Sequence, residues 1–293
     1  MIDNVKILQG HEGAIYKLIF DEAHRKLYSV GGDGWLVEWD VDHSDDGVLL
    51  ARVPDQVFAL AVTADHFLMG SYQGNFYVLD RQNRSILHEE RVHKKGVFSI
   101  LATGAQFYTF GGDGRIVQWD AKTFEPMNSL TLAPKALRTH ALNETGDLLA
   151  VGSSDGSIYI LSYPELFLQK QLVDAHDPTV FALLWMDGYL ISGGRDALIK
   201  SWNVEKDYEL DQTINAHWYA IYDLKSTDNY MVSSSRDKSI RWWNRHTLEP
   251  VTTIKWGDVM EAHVHSVNSL AVDAENEMVF SGSEDRTIRA WKI

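Results

Sequence analysis

Pairs of histidine and aspartate recur along the chain, and such pairs are the residue types that acid–base catalysis or metal binding would use. In each pair the aspartate follows the histidine at a nearly constant spacing. The pairs are His11 and Asp33, His93 and Asp113, His176 and Asp196, His217 and Asp237, and His263 and Asp285. Because five copies of one arrangement do not describe a single active site, the repetition favours a structural role for these side chains.

Other catalytic signatures are missing from the sequence. There is no cysteine, which excludes disulfides, thiolate zinc sites and cysteine nucleophiles. Nucleotide-binding glycine loops, a GxSxG elbow and an HExxH motif are also absent. We therefore predict no catalytic residues, no cofactor and no metal site, and we expect that the protein is not an enzyme.

Two segments resemble metal sites weakly. His263 and His265 are spaced so that both face one side of a strand, but His263 also belongs to the repeated pairs. The acidic segment Asp40–Gly47 resembles a calcium loop, yet Val53 stands where such a loop needs glutamate. A solvated acidic loop is the better interpretation of that segment.

A repeat explains the spacing of the pairs. A turn is followed six residues later by a large apolar residue, as from Asp33 to Trp39. These end points fall at residues 39, 79, 119, 161, 202, 243 and 291. A unit of about 40 to 45 residues is the period of a propeller blade, and a sandwich or barrel has no such fixed period.

Each unit reads as four short strands, because alternating apolar residues are separated by turns rich in Gly and Asp. We predict an all-β fold, a seven-bladed propeller of four-stranded antiparallel blades in one domain, residues 1–293. The seventh unit lacks a fourth strand after Trp291. We expect residues 3–9 to supply it, which removes an exposed edge.

The units resemble WD repeats of the WD40-type β-propeller family over essentially the whole chain. That family pattern has a His near the start, a Ser or Thr before the turn, an Asp in the turn and a Trp on the third strand. Five units carry all four: His11, Ser29, Asp33 and Trp39; His93, Thr109, Asp113 and Trp119; His176, Ser192, Asp196 and Trp202; His217, Ser233, Asp237 and Trp243; and His263, Ser281, Asp285 and Trp291. The resemblance implies a structural hydrogen-bonded network of these side chains in each unit.

Units two and four depart from the pattern. In the second unit Val53, Met69, Gln73 and Leu79 occupy the four positions. In the fourth unit these are Ala133, Val151, Asp155 and Leu161. We expect these two blades to rely on apolar packing alone.

The overall charge narrows the classes of partner. Lys and Arg number 27 against 41 Asp and Glu, giving a net charge of −14. Clustered cations are needed to bind nucleic acid or an anionic membrane, so we expect neither. The first ten residues do not resemble a signal peptide and no apolar run is long enough for a membrane helix, so we expect a cytoplasmic location.

The resemblance also implies where a partner would bind, namely the loop face called the top and the mouth of the central channel. One such position lies five residues after the histidine, and another precedes the turn aspartate. The first position holds Tyr16, Phe58, Phe98, Arg138, Phe181, Tyr222 and Asn268, and the second includes Tyr72, Arg195, Arg236 and Glu284. Aromatic residues and arginine are enriched at interface hot spots, and Trp218 lies nearby.

These features predict a non-enzymatic scaffold or adaptor that binds another protein or a peptide, as a monomeric propeller within a larger complex. The alternative is a small-ligand sensor or a propeller enzyme that uses the central channel. The aromatic and arginine residues predicted at the mouth suit peptide capture better than acid–base catalysis.

Overall fold

A computed structural model describes residues 3–292, and within that range all regular structure is β-strand. Twenty-eight strands form seven four-stranded sheets, which confirms the predicted all-β class with seven antiparallel blades. No helix in the described range is long and apolar enough to cross a lipid bilayer. The chain divides into two compact units, one with the residues up to Leu137 and those from Asn268 onward, the other with Arg138–Val267. The single domain stays a prediction.

The first unit contains blades 1, 2, 3 and 7. Blade 1 consists of β2 (Ile15–Asp21), β3 (Lys26–Gly31), β4 (Trp35–Trp39) and β5 (Gly47–Arg52). Blade 2 consists of β6 (Val57–Val62), β7 (His66–Ser71), β8 (Asn75–Asp80) and β9 (Ile86–Arg91). Blade 3 consists of β10 (Val97–Thr103), β11 (Gln106–Gly111), β12 (Arg115–Asp120) and β13 (Pro126–Thr131). Blade 7 consists of β26 (Val267–Asp273), β27 (Met278–Ser283), β28 (Thr287–Lys292) and β1 (Asp3–Gln9).

The second unit contains blades 4, 5 and 6. Blade 4 consists of β14 (Leu137–Leu142), β15 (Leu148–Ser153), β16 (Ile158–Ser162) and β17 (Leu168–Leu172). Blade 5 consists of β18 (Val180–Met186), β19 (Tyr189–Gly194), β20 (Leu198–Asn203) and β21 (Glu209–Asn215). Blade 6 consists of β22 (Ile221–Ser226), β23 (Tyr230–Ser235), β24 (Ile240–Asn244) and β25 (Pro250–Ile254).

The first strand of the chain completes the last blade, as the sequence predicts. β1 pairs antiparallel with β28, with Ile7 opposite Arg289 and Gln9 opposite Thr287. The pairing satisfies the backbone groups on the outer side of β28, which would otherwise form an exposed sheet edge.

Apolar side chains of neighbouring blades pack together within each unit. Leu18, Trp39 and Phe280 belong to one buried cluster of blades 1 and 7. Ile191, Ile221 and Trp243 belong to another, of blades 5 and 6. The second and third strands of each blade are largely buried, whereas the outer strands of blades 1 to 6 are mostly exposed. Accessible side chains therefore lie chiefly at blade ends, loops and outer edges.

Candidate functional site

The four family-pattern residues of blade 1 form one chain of hydrogen bonds. Trp39 Nε1 donates to Ser29 Oγ at 2.8 Å, and Ser29 Oγ lies 2.7 Å from His11 Nε2. His11 Nδ1 lies 2.8 Å from an Asp33 carboxylate oxygen. The ionised Asp33 carboxylate can only accept, so the histidine donates its Nδ1 proton to it. In that neutral tautomer Nε2 accepts from the serine hydroxyl, which itself accepts the indole N–H.

The same chain is present in blades 3, 5 and 6. In blade 3 the distances are 3.2 Å from Trp119 to Thr109, 3.0 Å from Thr109 to His93 and 2.8 Å from His93 to Asp113. A Cβ on Gly111 would lie 2.0 Å from His93 Nδ1, so only glycine lets the backbone approach this closely. In blades 5 and 6 the corresponding contacts span 2.8–3.1 Å and join His176 with Asp196 and Ser192, Trp202 with Ser192, His217 with Asp237 and Ser233, and Trp243 with Ser233.

The electrostatics of this network suit structure rather than catalysis. Burial would raise the pKa of Asp33, but the His11 hydrogen bond and the Gly13 and Trp35 amides outweigh it and lower that pKa to about 2. Burial lowers the pKa of His93 despite the nearby Asp113 carboxylate. His93 is thus neutral, and the Asp33 carboxylate is ionised, at neutral pH. The His11 imidazole is fully buried, so a substrate would have no access to it.

Pattern residues of blade 7 make hydrogen bonds of the same kind. Trp291 Nε1 donates to Ser281 Oγ at 2.9 Å, and His263 is buried. Asp285 accepts hydrogen bonds from the Thr287 amide at 3.1 Å and from the Thr287 hydroxyl at 2.6 Å. The carboxylate therefore caps its own turn, as Asp33 does through the Trp35 amide.

Blades 2 and 4 replace the network in two ways. Val53, Met69 and Leu79 pack in one buried apolar cluster of blade 2, and the carboxylate now comes from the opposite loop, since Asp55 accepts the Gln73 amide at 2.7 Å. In blade 4 the buried residues Ala133, Val151 and Leu161 fill the apolar positions. There the Tyr159 hydroxyl donates to Asp155 at 2.7 Å. Apolar packing is thus not the only device in these blades, contrary to our expectation.

Neither weak metal signature forms a cluster of metal ligands among residues 3–292. In the acidic loop after Trp39, the Lys6 ammonium occupies the place that a cation would take. It donates to the Val41 carbonyl at 3.1 Å and to the Ser44 carbonyl at 2.9 Å, and it lies 2.8 Å from the Asp45 carboxylate. The loop thus closes around a side chain of β1.

The predicted partner-contact residues that lie on first strands share one backbone feature. Each occupies the second position of its blade's first strand, and in five blades the pairing register shifts there, as it does between Ile15 and Lys17 around Tyr16. A β-bulge leaves one residue unpaired and redirects its side chain. In these five blades the bulged residue is aromatic: Tyr16, Phe58, Phe98, Phe181 and Tyr222.

In the first unit these aromatic residues pack on one another. The rings of Tyr16 and Phe58 stack with centroids 4.3 Å apart, and Phe98 meets Phe58 edge-on at 5.8 Å. Tyr72, which is 54% exposed, lies 5.7 Å from Phe58. Asn268 of blade 7 is instead hydrogen-bonded to the Ile15 carbonyl at 2.9 Å. We call Tyr16, Phe58, Tyr72 and Phe98 the aromatic platform.

In the second unit aromatic residues alternate with arginine. Arg138 lies over the Phe181 ring at 5.3 Å, and Phe181 meets Tyr222 edge-on at 5.4 Å. Arg236 lies over the Tyr219 ring at 5.9 Å. Arg195, at the matching position of blade 5, is exposed.

The loop before β22 carries the most exposed aromatic pair. Trp218 is 83% exposed and Tyr219 is 60% exposed. The network carboxylate holds this loop, because Asp237 accepts the Trp218 amide at 2.9 Å. The sequence pointed to Trp218 but not to Tyr219, whose place beside Arg236 follows from the blade geometry. We call Trp218, Tyr219, Arg195 and Arg236 the Trp–Arg patch.

Comparisons with known proteins agree with this geometry. A family model described as "WD domain, G-beta repeat" matches residues 2–40, 208–244 and 248–292. The crystal structure of the WD40 β-propeller domain of Doa1 superposes with a TM-score of 0.85 at 18% identity, covering 99% of this chain and 97% of that one.

Two mouse proteins are similar to parts of this chain in sequence. The chain is 25% identical to the periodic tryptophan protein 2 homolog over 221 residues and 24% identical to cilia- and flagella-associated protein 57 over 214 residues. These alignments cover 67% and 70% of the chain, but only 24% and 14% of the two proteins. The chain thus spans less than a quarter of the length of either relative.

Proposed function

We propose that this chain, a seven-bladed β-propeller built of WD repeats, is a protein-interaction module that binds a partner through its aromatic and arginine residues and catalyses no reaction. Propellers of the WD40 type typically mediate protein–protein interactions and generally act as non-catalytic scaffolds. Since a fold does not by itself set function, the proposal depends on the surface residues.

The exposed pair Trp218 and Tyr219 is the observation that carries the proposal. Large aromatic side chains are usually at least partly covered in a folded protein, and exposed ones grouped with arginine are typical of interaction surfaces. Here Asp237 holds the Trp218 amide, and Arg236 lies against the Tyr219 ring. The loop is therefore fixed before a partner arrives, which reduces the ordering cost of binding.

The Trp–Arg patch favours a partner segment that combines an apolar side chain with a carboxylate or a phosphate. The arginine residues can bind an anionic group through paired N–H donors, and the aromatic rings can cover an apolar side chain. Arg195 and Arg236 are the cationic side chains of this patch, in a protein whose net charge is −14. An acidic segment would thus be attracted to this patch rather than to the rest of the surface.

A peptide-display selection tests the proposal. The wild-type protein is panned against random peptides, and the selected peptides are then measured against Trp218→Ala/Tyr219→Ala and against Phe58→Ala in the aromatic platform. Phe167→Ala is the matched control, because Phe167 is 67% exposed but lies outside both groups. We expect the double variant to weaken binding at least about 30-fold, as loss of interface aromatics does, and the control to leave it unchanged.

Circular dichroism and thermal melts of each variant separate loss of binding from loss of fold. If the selected peptides bind the double variant and Phe58→Ala as tightly as the wild type, both surfaces are excluded and the proposal fails. Anionic and apolar peptides selected together would support the chemistry inferred for the Trp–Arg patch.

A further inference from the structure

A groove of about 230 Å³ lies between blades 5 and 6, on residues that the proposed function does not use. Met186, Tyr189, Ile191 and Leu248 supply its apolar surface, and six polar or charged residues complete the lining, among them Ser201, Arg245 and Asp187. Pockets for drug-sized molecules measure roughly 300–1,000 Å³, so this groove is sized for a single side chain or a one-ring molecule.

Ser201 contributes a buried polar atom to this groove. The residue is only 2% exposed, and its Oγ makes no hydrogen bond to any residue in the described range 3–292. A buried hydroxyl without a partner costs free energy, and it offers both a donor and an acceptor to a group that enters the groove.

Blade 1 shows what fills the equivalent position there. Ser201 pairs across the sheet with Ile191, as Glu38 of blade 1 pairs with Tyr28. The Tyr28 hydroxyl lies 3.1 Å from the Glu38 carboxylate. Blade 1 thus places a phenol against the polar group that corresponds to Ser201.

Blade 3 repeats this arrangement. Tyr108 pairs with Gln118 across the same two strands, and Gln118 Nε2 lies 3.3 Å from the Tyr108 hydroxyl. In both blades the third-strand polar residue lies within hydrogen-bond distance of a tyrosine hydroxyl on the second strand. In blade 3 Gln118 also donates to Gln106 Oε1 at 3.0 Å. Blade 5 keeps the polar residue but has Ile191 in place of the tyrosine.

An arginine of the next blade lies beside Tyr28 in blade 1, and another lies beside the groove of blade 5. Arg81 of blade 2 donates to the Thr63 carbonyl at 2.8 Å and to the Tyr28 hydroxyl at 3.0 Å, and its guanidinium lies 5.5 Å from the Tyr28 ring. Arg245 of blade 6 donates to the Thr227 carbonyl at the same distance, 2.8 Å.

A carboxylate fixes each of these arginines. Asp21 binds Arg81, and Asp187 binds the Arg245 Nε at 2.9 Å and Nη2 at 2.9 Å. The groove between blades 5 and 6 is therefore bordered by the same arginine–carboxylate pair that covers Tyr28 between blades 1 and 2. The groove occupies the place that a tyrosine ring at position 191 would fill.

We propose that the groove between blades 5 and 6 binds a tyrosine side chain of a partner peptide, with its ring beneath Arg245 and its hydroxyl hydrogen-bonded to Ser201. The apolar walls from Met186, Ile191 and Leu248 cover the ring. The site is separate from the Trp–Arg patch and the aromatic platform, so it does not depend on the proposed function.

Binding of N-acetyl-tyrosinamide, followed by saturation-transfer NMR and by protein amide shifts in blades 5 and 6, tests the proposal. N-acetyl-phenylalaninamide tests the hydroxyl, and we expect it to bind roughly three- to tenfold more weakly, the effect of one hydrogen bond. N-acetyl-lysinamide tests attraction by Asp211 and Asp187, which also line the groove. Equal binding of the tyrosine and phenylalanine amides, tighter binding of the lysine amide or no binding at all would overturn the proposal.

Two variants locate the binding. Ile191→Tyr/Ser201→Glu installs the blade 1 pair, so it should fill the groove, abolish binding and leave the melting temperature equal or higher. Ser201→Ala keeps the groove open and should lower the affinity for the tyrosine amide to that for the phenylalanine amide. This variant still tests the proposal if the double variant does not fold. Leu168→Tyr on the exposed strand β17 is the control and should change nothing. Retained tyrosine preference in Ser201→Ala contradicts the assignment.

Discussion

Blades 1 and 2 are neighbours that each consist of four strands, yet different side chains connect those strands. Blade 1 uses a polar network and blade 2 uses apolar residues. Blade 1 buries His11, Ser29 and Trp39 in a hydrogen-bonded chain that ends on Asp33. Blade 2 fills the same positions with apolar side chains that belong to one buried cluster. A blade therefore does not need the polar chain in order to form.

One element of the polar chain is nevertheless kept in blade 2. In blade 1 the carboxylate lies in the turn after β3 and accepts the Glu12 and Gly13 amides of the loop before β2. In blade 2 Asp55 lies in the loop and accepts the Gln73 amide of the turn. The common requirement is thus a carboxylate that ties the turn to the loop, and either side can supply it.

Removal of the blade 1 carboxylate should have the largest effect. Asp33→Ala leaves the His11 Nδ1–H group and the Gly13 amide without their acceptor, so we expect a loss of about 3 kcal/mol in the free energy of unfolding. Gln73→Ala alters the equivalent, exposed position of blade 2 and should change stability by less than about 0.5 kcal/mol. Urea unfolding of both variants measures the difference, and equal losses would contradict the comparison.

Removal of the central hydroxyl should cost less. Ser29→Ala deprives the Trp39 indole N–H of its acceptor and His11 Nε2 of its donor, so we expect a loss of about 2 kcal/mol. Met69→Leu is the control at the matching position of blade 2. This nearly volume-conserving change in an apolar site should cost less than about 1.5 kcal/mol. A larger loss for Met69→Leu than for Ser29→Ala would show that the polar chain contributes little.

The substitute carboxylate of blade 2 should have a smaller but measurable effect. Asp55→Ala removes the carboxylate that accepts the Gln73 and Gln56 amides, and we expect a loss of about 1 kcal/mol. Asp55→Asn keeps an acceptor oxygen and should recover part of that loss. The same urea titrations measure both variants. An unchanged free energy of unfolding in Asp55→Ala would show that Asp55 does not replace Asp33.

Acidification should produce the smallest difference in stability between a blade with the polar chain and blade 2. The buried histidine determines the sign of that difference. Burial lowers the pKa of His93 below its ordinary value of 6.5, so the unfolded chain takes up a proton first. The stability that blade 3 gains from neutral His93 is complete above pH 6.5 and is lost as the pH falls below that value. Blade 2 has Val53 in that position and should not share this dependence.

Peptide-level hydrogen exchange between pH 7.5 and 5.5, corrected for intrinsic rates, tests this difference. Protection should fall faster in blade 3 than in blade 2 as the pH decreases. Parallel decreases in the two blades would show that His93 does not titrate on its own. The stability that comes from the ionised Asp33 carboxylate should decrease below pH 3.8 and be lost as the pH falls through about 2.

The sequence predicted most of the fold, because the signals were periodic. Turn residues and a third-strand Trp recurred at one phase, and the strand near Ile7 had no other place to pair. Asp55 was not recognised as a substitute carboxylate, since it lies on the opposite loop from Asp33 and the family pattern does not include it. A carboxylate that joins the turn to the loop can stand on either one, and spacing alone does not show which.

The candidate site was predicted only in outline. The register located the aromatic residues at the start of each first strand, but nothing in the sequence indicated the β-bulge that redirects a residue such as Phe58. Exposure of Tyr219 and the unpartnered Ser201 hydroxyl depend on which side chain stands opposite them. Such properties arise from pairs of residues on different strands, and a single sequence does not display those pairs.

The pairing of β1 with β28 has a consequence for how the protein is made. During synthesis β1 emerges before β28 and must wait, without its hydrogen-bonded neighbour, until residues 287–292 have left the ribosome. Closing a loop of nearly the whole chain is slow, because distant contacts carry the largest entropy cost. Blade 7 should therefore be the last blade to form, and a circular permutant that joins β28 directly to β1 should fold faster than the natural chain order.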